Sequence, residues 1–156
     1  MSDDVTIRAA RDEDIAVFLA GYEWLFAPPG CRPPDWDPDV AAARLRETIA
    51  GPDSVALVAE RDGRVTGICT AYIDLLSVRF GRRCWVEDLA VDPAERSRGV
   101  GARLLAQARE WAADHGASHL ELDSGEARTD AHRFYEREGA AVRSFSFGWY
   151  GLGSGR

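Results

Sequence analysis

Between Cys84 and Ala112 the chain reads Cys-Trp-Val-Glu-Asp-Leu-Ala-Val-Asp-Pro, then an arginine- and glycine-rich link, then a helical stretch. β-Branched and aromatic residues over Trp85 to Val91 predict a buried strand, ended by Asp92-Pro93. Val100, Leu104, Leu105, Ala108, Trp111 and Ala112 recur at helical spacing and predict a helix with one apolar face. Between the two lies Arg96-Ser97-Arg98-Gly99-Val100-Gly101. A glycine-containing loop feeding a helix N-terminus gathers free backbone N–H groups at the positive end of the helix dipole. Glycine there lets a phosphate approach without a Cβ in the way.

Two phosphate-binding loops are excluded by spacing. A Walker loop ends in Gly-Lys-Ser/Thr, and this chain contains no lysine. A dinucleotide fingerprint needs a third glycine where Leu104 stands, and it normally opens its domain. What remains is R-x-x-G-x-G after a Val- and Leu-rich strand. With the preceding Glu-Asp-Leu-Ala-Val-Asp-Pro and the following Leu-Leu helix, this segment resembles the GNAT superfamily of acyl-CoA-dependent N-acetyltransferases. The resemblance implies that backbone amides of Arg98, Gly99, Val100, Gly101 and Ala102 hold the coenzyme A diphosphate, with Arg96 and Arg98 adding charge.

Composition narrows the remaining classes. The 156 residues suit one domain with a real hydrophobic core. No apolar run approaches the ~18 residues of a membrane span, and the N-terminus does not read as a secretory signal. Three cysteines, Cys31, Cys69 and Cys84, are an odd number without metal-ligand spacing, which fits a reducing cytoplasm and no metal site. The net charge of −7 argues against a general nucleic-acid binder and is compatible with cationic acceptors. All nineteen basic residues are arginine, so the chain cannot acetylate itself on a lysine side chain.

In chain order, Val5 to Ala9 predicts a short strand, and Arg11-Asp12-Glu13-Asp14 opens a helix with acids in its first turn. Ile15, Phe18, Leu19, Tyr22 and Leu25 form that helix's buried face. Residues 27–38 are proline-rich and irregular. A second helix spans Pro38 to Ala50, stopped by Gly51-Pro52. Ser54 to Glu60 and Arg64 to Leu76 predict a hairpin about Asp62-Gly63. After the central strand and helix, Gly116 is a helix stop, and His119 to Asp123 predicts the next strand. Arg128 to Glu138 predicts a helix with Ala131, Phe134 and Tyr135 inward, and the alternation over Ala141 to Tyr150 predicts a final strand. The expected fold is α/β of the α+β type: a mixed, mostly antiparallel central sheet flanked by helices, in one domain with a frayed tail over 152–156.

The resemblance extends to this order and to Arg128-Thr-Asp-Ala131-His-Arg-Phe-Tyr135-Glu-Arg-Glu-Gly139, which is similar to the family's N-x-x-A-x-x-x-Y-x-x-x-G-F helix. Ala131, Tyr135 and Gly139 match; Arg128 replaces the usual Asn and Ala140 the usual Phe. It implies a GNAT fold, acetyl-CoA as cosubstrate, and direct transfer of acetyl to a primary amine of a small molecule or peptide. An amine of pKa ~10 needs a base at neutral pH. Glu87, twelve residues before Gly99, stands where several family members carry their catalytic glutamate. Asp88 or water alone stays open as the base. Asp88 points to the opposite sheet face by simple alternation, unless a bulge resets the register.

Tyr135 corresponds to the family's general acid at the thiolate; on the residues alone, Phe134-Tyr135 also reads as a core aromatic pair. The backbone of Leu89, Ala90 and Val91 corresponds to the family's pantetheine-binding edge, with a backbone N–H near Leu89 for the oxyanion. Arg128 could reach a phosphate in place of the family's Asn. The implied acceptor pocket lies on the first two helices and their link, with Tyr22, Trp24, Asp35 and Trp36 as candidates. Trp36 equally reads as packing for a proline-rich loop, and the aspartates as helix caps. A catalytically silent acyl-CoA-binding or regulatory module, or a protein N-terminal acetyltransferase, is the alternative, and a homodimer is compatible with either.

Overall fold

The computed structural model describes residues 4–153. Two compact units divide the chain, the first ending at Leu122 and the second beginning at Asp123. The first holds five strands and three helices: β1 (Thr6–Ala9), α1 (Ile15–Phe26), α2 (Pro38–Ala50), β2 (Ser54–Arg61), β3 (Arg64–Ser77), β4 (Gly81–Val91), α3 (Val100–Asp114) and β5 (His119–Leu122). The second holds α4 (Thr129–Arg137).

Local chemistry accounts for most element ends. Pro38 occupies the first turn of α2, and the Asp37 carboxylate accepts from the Asp39 and Val40 amides, so proline and cap start the helix together. Asp62 and Gly63 both take positive φ, the turn geometry whose twist matches the flanking strands. A one-turn 3-10 segment, Asp12–Asp14, precedes α1, so the acids expected in the first helical turn sit just ahead of it.

The sheet runs β1-β2-β3-β4-β5, antiparallel throughout except the β4–β5 pair, which α3 connects in parallel. Helices cover both faces. On one, Phe18 and Ile15 of α1 and Leu45 of α2 pack on Val58, Ile68 and Ala90. On the other, Val100, Leu104, Ala108 and Ala112 of α3 pack on Leu57, Cys69, Ala71, Cys84 and Val86. Gly67 makes the second contact possible: a Cβ there would stand 2.8 Å from Leu104 Cδ1 and 3.0 Å from Val100 Cγ1. The first turn of α3 therefore lies directly on β3.

Residues 141–150 correct the reading of a final strand. They hold no strand, and Val142, Phe145, Phe147, Trp149 and Tyr150 are exposed. Alternation provides a face to bury, but a strand also needs a neighbouring backbone to bond. Ala131, Phe134 and Tyr135 of α4, expected inward, are half-buried, and no α4 residue is fully buried. Leu152 is exposed, and residues 154–156 of the expected tail lie outside the described residues.

Arg8 joins β1 to the start of α1 and to β2, meeting Asp14 at 2.8 Å and Glu60 at 2.9 Å. This guanidinium, more than the opposing cost of burial, holds the Asp14 carboxyl down at about 2, from an ordinary 3.8. A depressed folded-state pKa contributes stability above the ordinary value and loses it as pH falls through the folded one. Asp14→Asn is therefore expected to cost about 2 kcal/mol at neutral pH. Urea denaturation at several pH values should show the gap to wild type closing as pH drops from 3.8 toward 2.

Candidate active site

The β3–β4 ladder carries one extra residue on β4. Asp88 pairs with Thr70 and Val86 with Ala71, so Glu87 is a bulge. Beyond it the faces exchange. Leu89 and Val91 face α3, as do Val86 and Cys84, while Asp88 and Ala90 belong to the α1 side. Trp85 pairs with Tyr72, which bonds Thr48 of α2 at 3.0 Å, so it too lies on the α1–α2 side. Glu87 joins it there, accepting from Trp85 Nε1 at 2.6 Å. Simple alternation would have separated Glu87 from Asp88; the bulge puts both carboxylates on one face.

Asp88 is held by two neutral donors on a single oxygen. Tyr22 Oη donates to Oδ2 at 2.8 Å and Thr70 Oγ1 at 2.7 Å. Burial first, then the neighbouring Asp88 carboxylate, pushes the Tyr22 phenol well above its ordinary pKa, so this hydroxyl stays a donor. Burial likewise raises the Tyr72 phenol. Five carboxylates in residues 4–122 are withdrawn from solvent: Asp14, Glu60, Asp88, Asp92 and Glu95. Arg8 serves Asp14 and Glu60, Arg64 serves Asp92, and Arg61 and Arg98 serve Glu95. Among the described residues, Asp88 makes no ion pair.

β4 pairs with β5 only from Arg83 to Val86, opposite His119 to Leu122. From Glu87 to Val91 its outer edge has no strand beside it among the described residues, which leaves outward main-chain groups of Leu89, Ala90 and Val91 available to a ligand. Past the strand, Asp92 caps a 3-10 turn, Pro93–Glu95, by accepting from the Ala94 amide at 2.9 Å. The chain then takes positive φ at Ser97 (64°) and Gly99 (79°) before α3 begins. Gly99 is the N-cap and no side chain caps this end, so the Val100, Gly101 and Ala102 amides point out of the helix unbonded by it. Arg96 and Arg98 are exposed beside them. Uncapped amides, left-handed glycine and two guanidinium groups fit a diphosphate.

The family profile described as Acetyltransferase (GNAT) family matches residues 18–140, which covers the bulge, the loop and all of α3. The chain belongs to the GNAT acetyltransferase family.

Relatives and folds agree with that membership. An uncharacterised N-acetyltransferase of Bacillus subtilis is 34% identical over 99 residues, 64% of this chain and 66% of the relative. An aminoalkylphosphonate N-acetyltransferase of Salmonella typhimurium is 36% identical over 90 residues, 58% of each chain. An aminoglycoside N(6')-acetyltransferase of Serratia marcescens is 31% identical over 115 residues, 69% of this chain and 77% of the relative. The chain spans less than two thirds of the first two of these. Among solved structures, an aminoglycoside N-acetyltransferase in complex with CoA superposes with a TM-score of 0.81 at 19% identity, over 94% of this chain and 93% of that one. Arabidopsis thaliana glucosamine-6-phosphate N-acetyltransferase gives 0.76 at 20% identity, over 94% and 98%.

The expected GNAT acceptor residues separate into two groups. Tyr22 and Trp36 come together, ring centroids 5.4 Å apart, with Phe26 4.9 Å from Trp36, and Tyr22 reaches Asp88. Trp24, half-buried, packs against the same apolar cluster as Tyr22, the one that holds Ile68, and Asp35 is exposed in the loop. In the second unit, Arg128 directly precedes α4, and the Tyr135 ring lies 5.2 Å from Phe134. His132 Nε2 lies 2.9 Å from the Gly125 carbonyl oxygen. Cys69 and Cys84 are buried and Cys31 exposed, all as free thiols; burial pushes Cys84 up to about 11. Among the described residues no helix is long and apolar enough to cross a membrane, and no three His, Cys, Asp or Glu side chains group as metal ligands.

The partnering of Asp88 with Thr70 and Tyr22 was hidden in the sequence, because only the bulge brings Asp88 to the face that Glu87 occupies. Tyr22→Phe removes one of the two donors that hold Asp88. It is expected to lower unfolding free energy by about 1–3 kcal/mol, read by denaturant titration. An unchanged midpoint and slope would mean that the bond contributes nothing net.

Proposed function

We propose that the chain transfers an acetyl group from acetyl-CoA to a primary amine by direct attack in a ternary complex. The observation that carries this reading is the pair of bulge-aligned carboxylates, Glu87 and Asp88, next to an unpaired strand edge and an uncapped, arginine-flanked helix N-terminus. The thioester supplies the activated acyl group. The Arg98 to Ala102 amides, with Arg96 and Arg98, hold the diphosphate, and the open edge at Leu89, Ala90 and Val91 holds the pantetheine arm. Arg128 gives a further phosphate contact in place of the family's Asn.

Glu87 is the base. It is exposed, and a single indole hydrogen bond fixes its reach. The Leu89 N–H is the donor for negative charge developing on the acyl oxygen. Tyr135 protonates the departing thiolate; this role rests on the matched pattern Ala131, Tyr135 and Gly139 in the α4 sequence. A phenol of ordinary pKa ~10 stays protonated at rest and can serve a thiolate of ~8.5.

Asp88 bears on the acceptor. The attacking nitrogen must be neutral, so it cannot supply the positive charge that every other withdrawn carboxylate of this unit obtains from arginine. A second ammonium on the acceptor supplies it, held by Asp88 beside the rings of Tyr22 and Trp36. The names of the relatives span an aminoalkylphosphonate and an aminoglycoside enzyme, so acceptor choice varies within the family and rests on such local features.

Thiol release from acetyl-CoA, measured over a series of α,ω-diaminoalkanes and matched n-alkylamines, tests both parts. Turnover with amines is expected, with diamines preferred about tenfold or more in kcat/KM. Equal rates for the two series would remove the second-ammonium assignment, and no turnover with any amine would remove the enzymatic one. Glu87→Gln and Tyr135→Phe should each lower kcat by about 10²-fold or more. Near-wild-type turnover in either takes that residue out of the mechanism.

A further inference from the structure

Arg61 and Arg64 are direct cross-strand partners at the end of the β2–β3 hairpin. Like charges placed opposite each other destabilise a sheet unless each finds an acid. Both do, at the two ends of the 3-10 turn that leads into the diphosphate loop. Arg64 Nη2 meets Asp92 Oδ2 at 2.9 Å, and Arg61 Nε meets Glu95 Oε2 at 3.2 Å. The second pair is the deeper one, each residue 9% exposed. The same Glu95 oxygen also takes Arg98 Nη1 at 3.2 Å.

A chain of contacts thus runs from the rigid sheet, through one carboxylate, to a guanidinium of the loop. Arg61 and Glu95 are fixed by burial, whereas the Arg98 side chain is 50% exposed. A long exposed side chain loses rotamer freedom when it grips a ligand, and a partner that holds it beforehand lowers that cost. Glu95 brings one negative charge to two guanidinium groups, so its own carboxylate orders Arg98 without cancelling both positive charges. We propose that Glu95, anchored by Arg61, is the positioning residue that holds Arg98 ready for the cofactor diphosphate. This rests on the reading of the loop as the diphosphate site.

A double-mutant cycle in acetyl-CoA KM, with coenzyme A affinity by calorimetry as a second readout, tests it. Glu95→Gln is expected to raise KM for acetyl-CoA about fivefold or more, the effect falling in KM rather than kcat. Arg98→Ala should do at least as much. The decisive result is the double variant, expected to be no worse than Arg98→Ala alone, since Glu95 acts through that residue. Additive losses would overturn the proposal, because a role confined to folding does not depend on Arg98. Should Glu95→Gln fail to fold, Glu95→Asp replaces it: the charge stays for Arg61 but withdraws by one methylene, and its effect must likewise vanish in the Arg98→Ala background. Wild-type protein that binds no coenzyme A would instead refute the reading of the loop itself.

Discussion

One extra residue in β4 governs the candidate site. Had the β3–β4 ladder continued past Val86 without the bulge at Glu87, Asp88 would have faced α3 with Cys84 and Val86. The apolar cores on both faces demand this arrangement: Val86 and Cys84 must reach the α3 side while Ala90 stays under α1. A bulge is the local solution that satisfies both, and it leaves two consecutive carboxylates on the same side. The parallel β4–β5 pairing also ends at Val86, one residue short of the bulge. Kinked strand, open edge and paired acids are therefore one structural event.

Electrostatic pairing is the second organising element. Arginine is the only cationic side chain apart from histidine, and the withdrawn carboxylates of the first unit are arranged around it. Arg8 ties β1, α1 and β2 together, and Arg61 and Arg64 fasten the turn after β4 to the β2–β3 hairpin. Removing one partner from such a buried pair is costly because the other charge remains. Against that pattern, the hydroxyl-only surroundings of Asp88 mark the place where charge is left for something else to balance.

Much of this could be read from the residues. The α2 span from Pro38 to Ala50, the hairpin at Asp62-Gly63, the buried face of α3 and the Arg96–Gly101 link all depend on local signals: a proline at a helix start, two residues suited to positive φ, a helical period, glycine before a helix. Family membership followed from the link and its flanks. What could not be read depends on partners distant in sequence. Alternation alone cannot locate a bulge, so the face of Asp88 stayed conditional on one, and the bulge at Glu87 decides it. Residues 141–150 have the pattern of a strand but no strand neighbour. No local signal marks Glu95, because Arg61, thirty-four residues earlier, is brought against it only by the fold. Tyr22 and Trp24 both lean, half-buried, on the cluster around Ile68, a contact created by the close approach of α1 to Ile68 at Gly21.

The proposed activity requires that the amides opening α3 grip a diphosphate. Backbone N–H chemical shifts, followed while coenzyme A is added, report on that contact directly. A saturable set of large shifts is expected at Arg98, Gly99, Val100, Gly101 and Ala102, reproduced by 3'-dephospho-coenzyme A, which keeps the diphosphate, and lost with pantetheine, which has none. Saturable binding that leaves those five amides unmoved would contradict it.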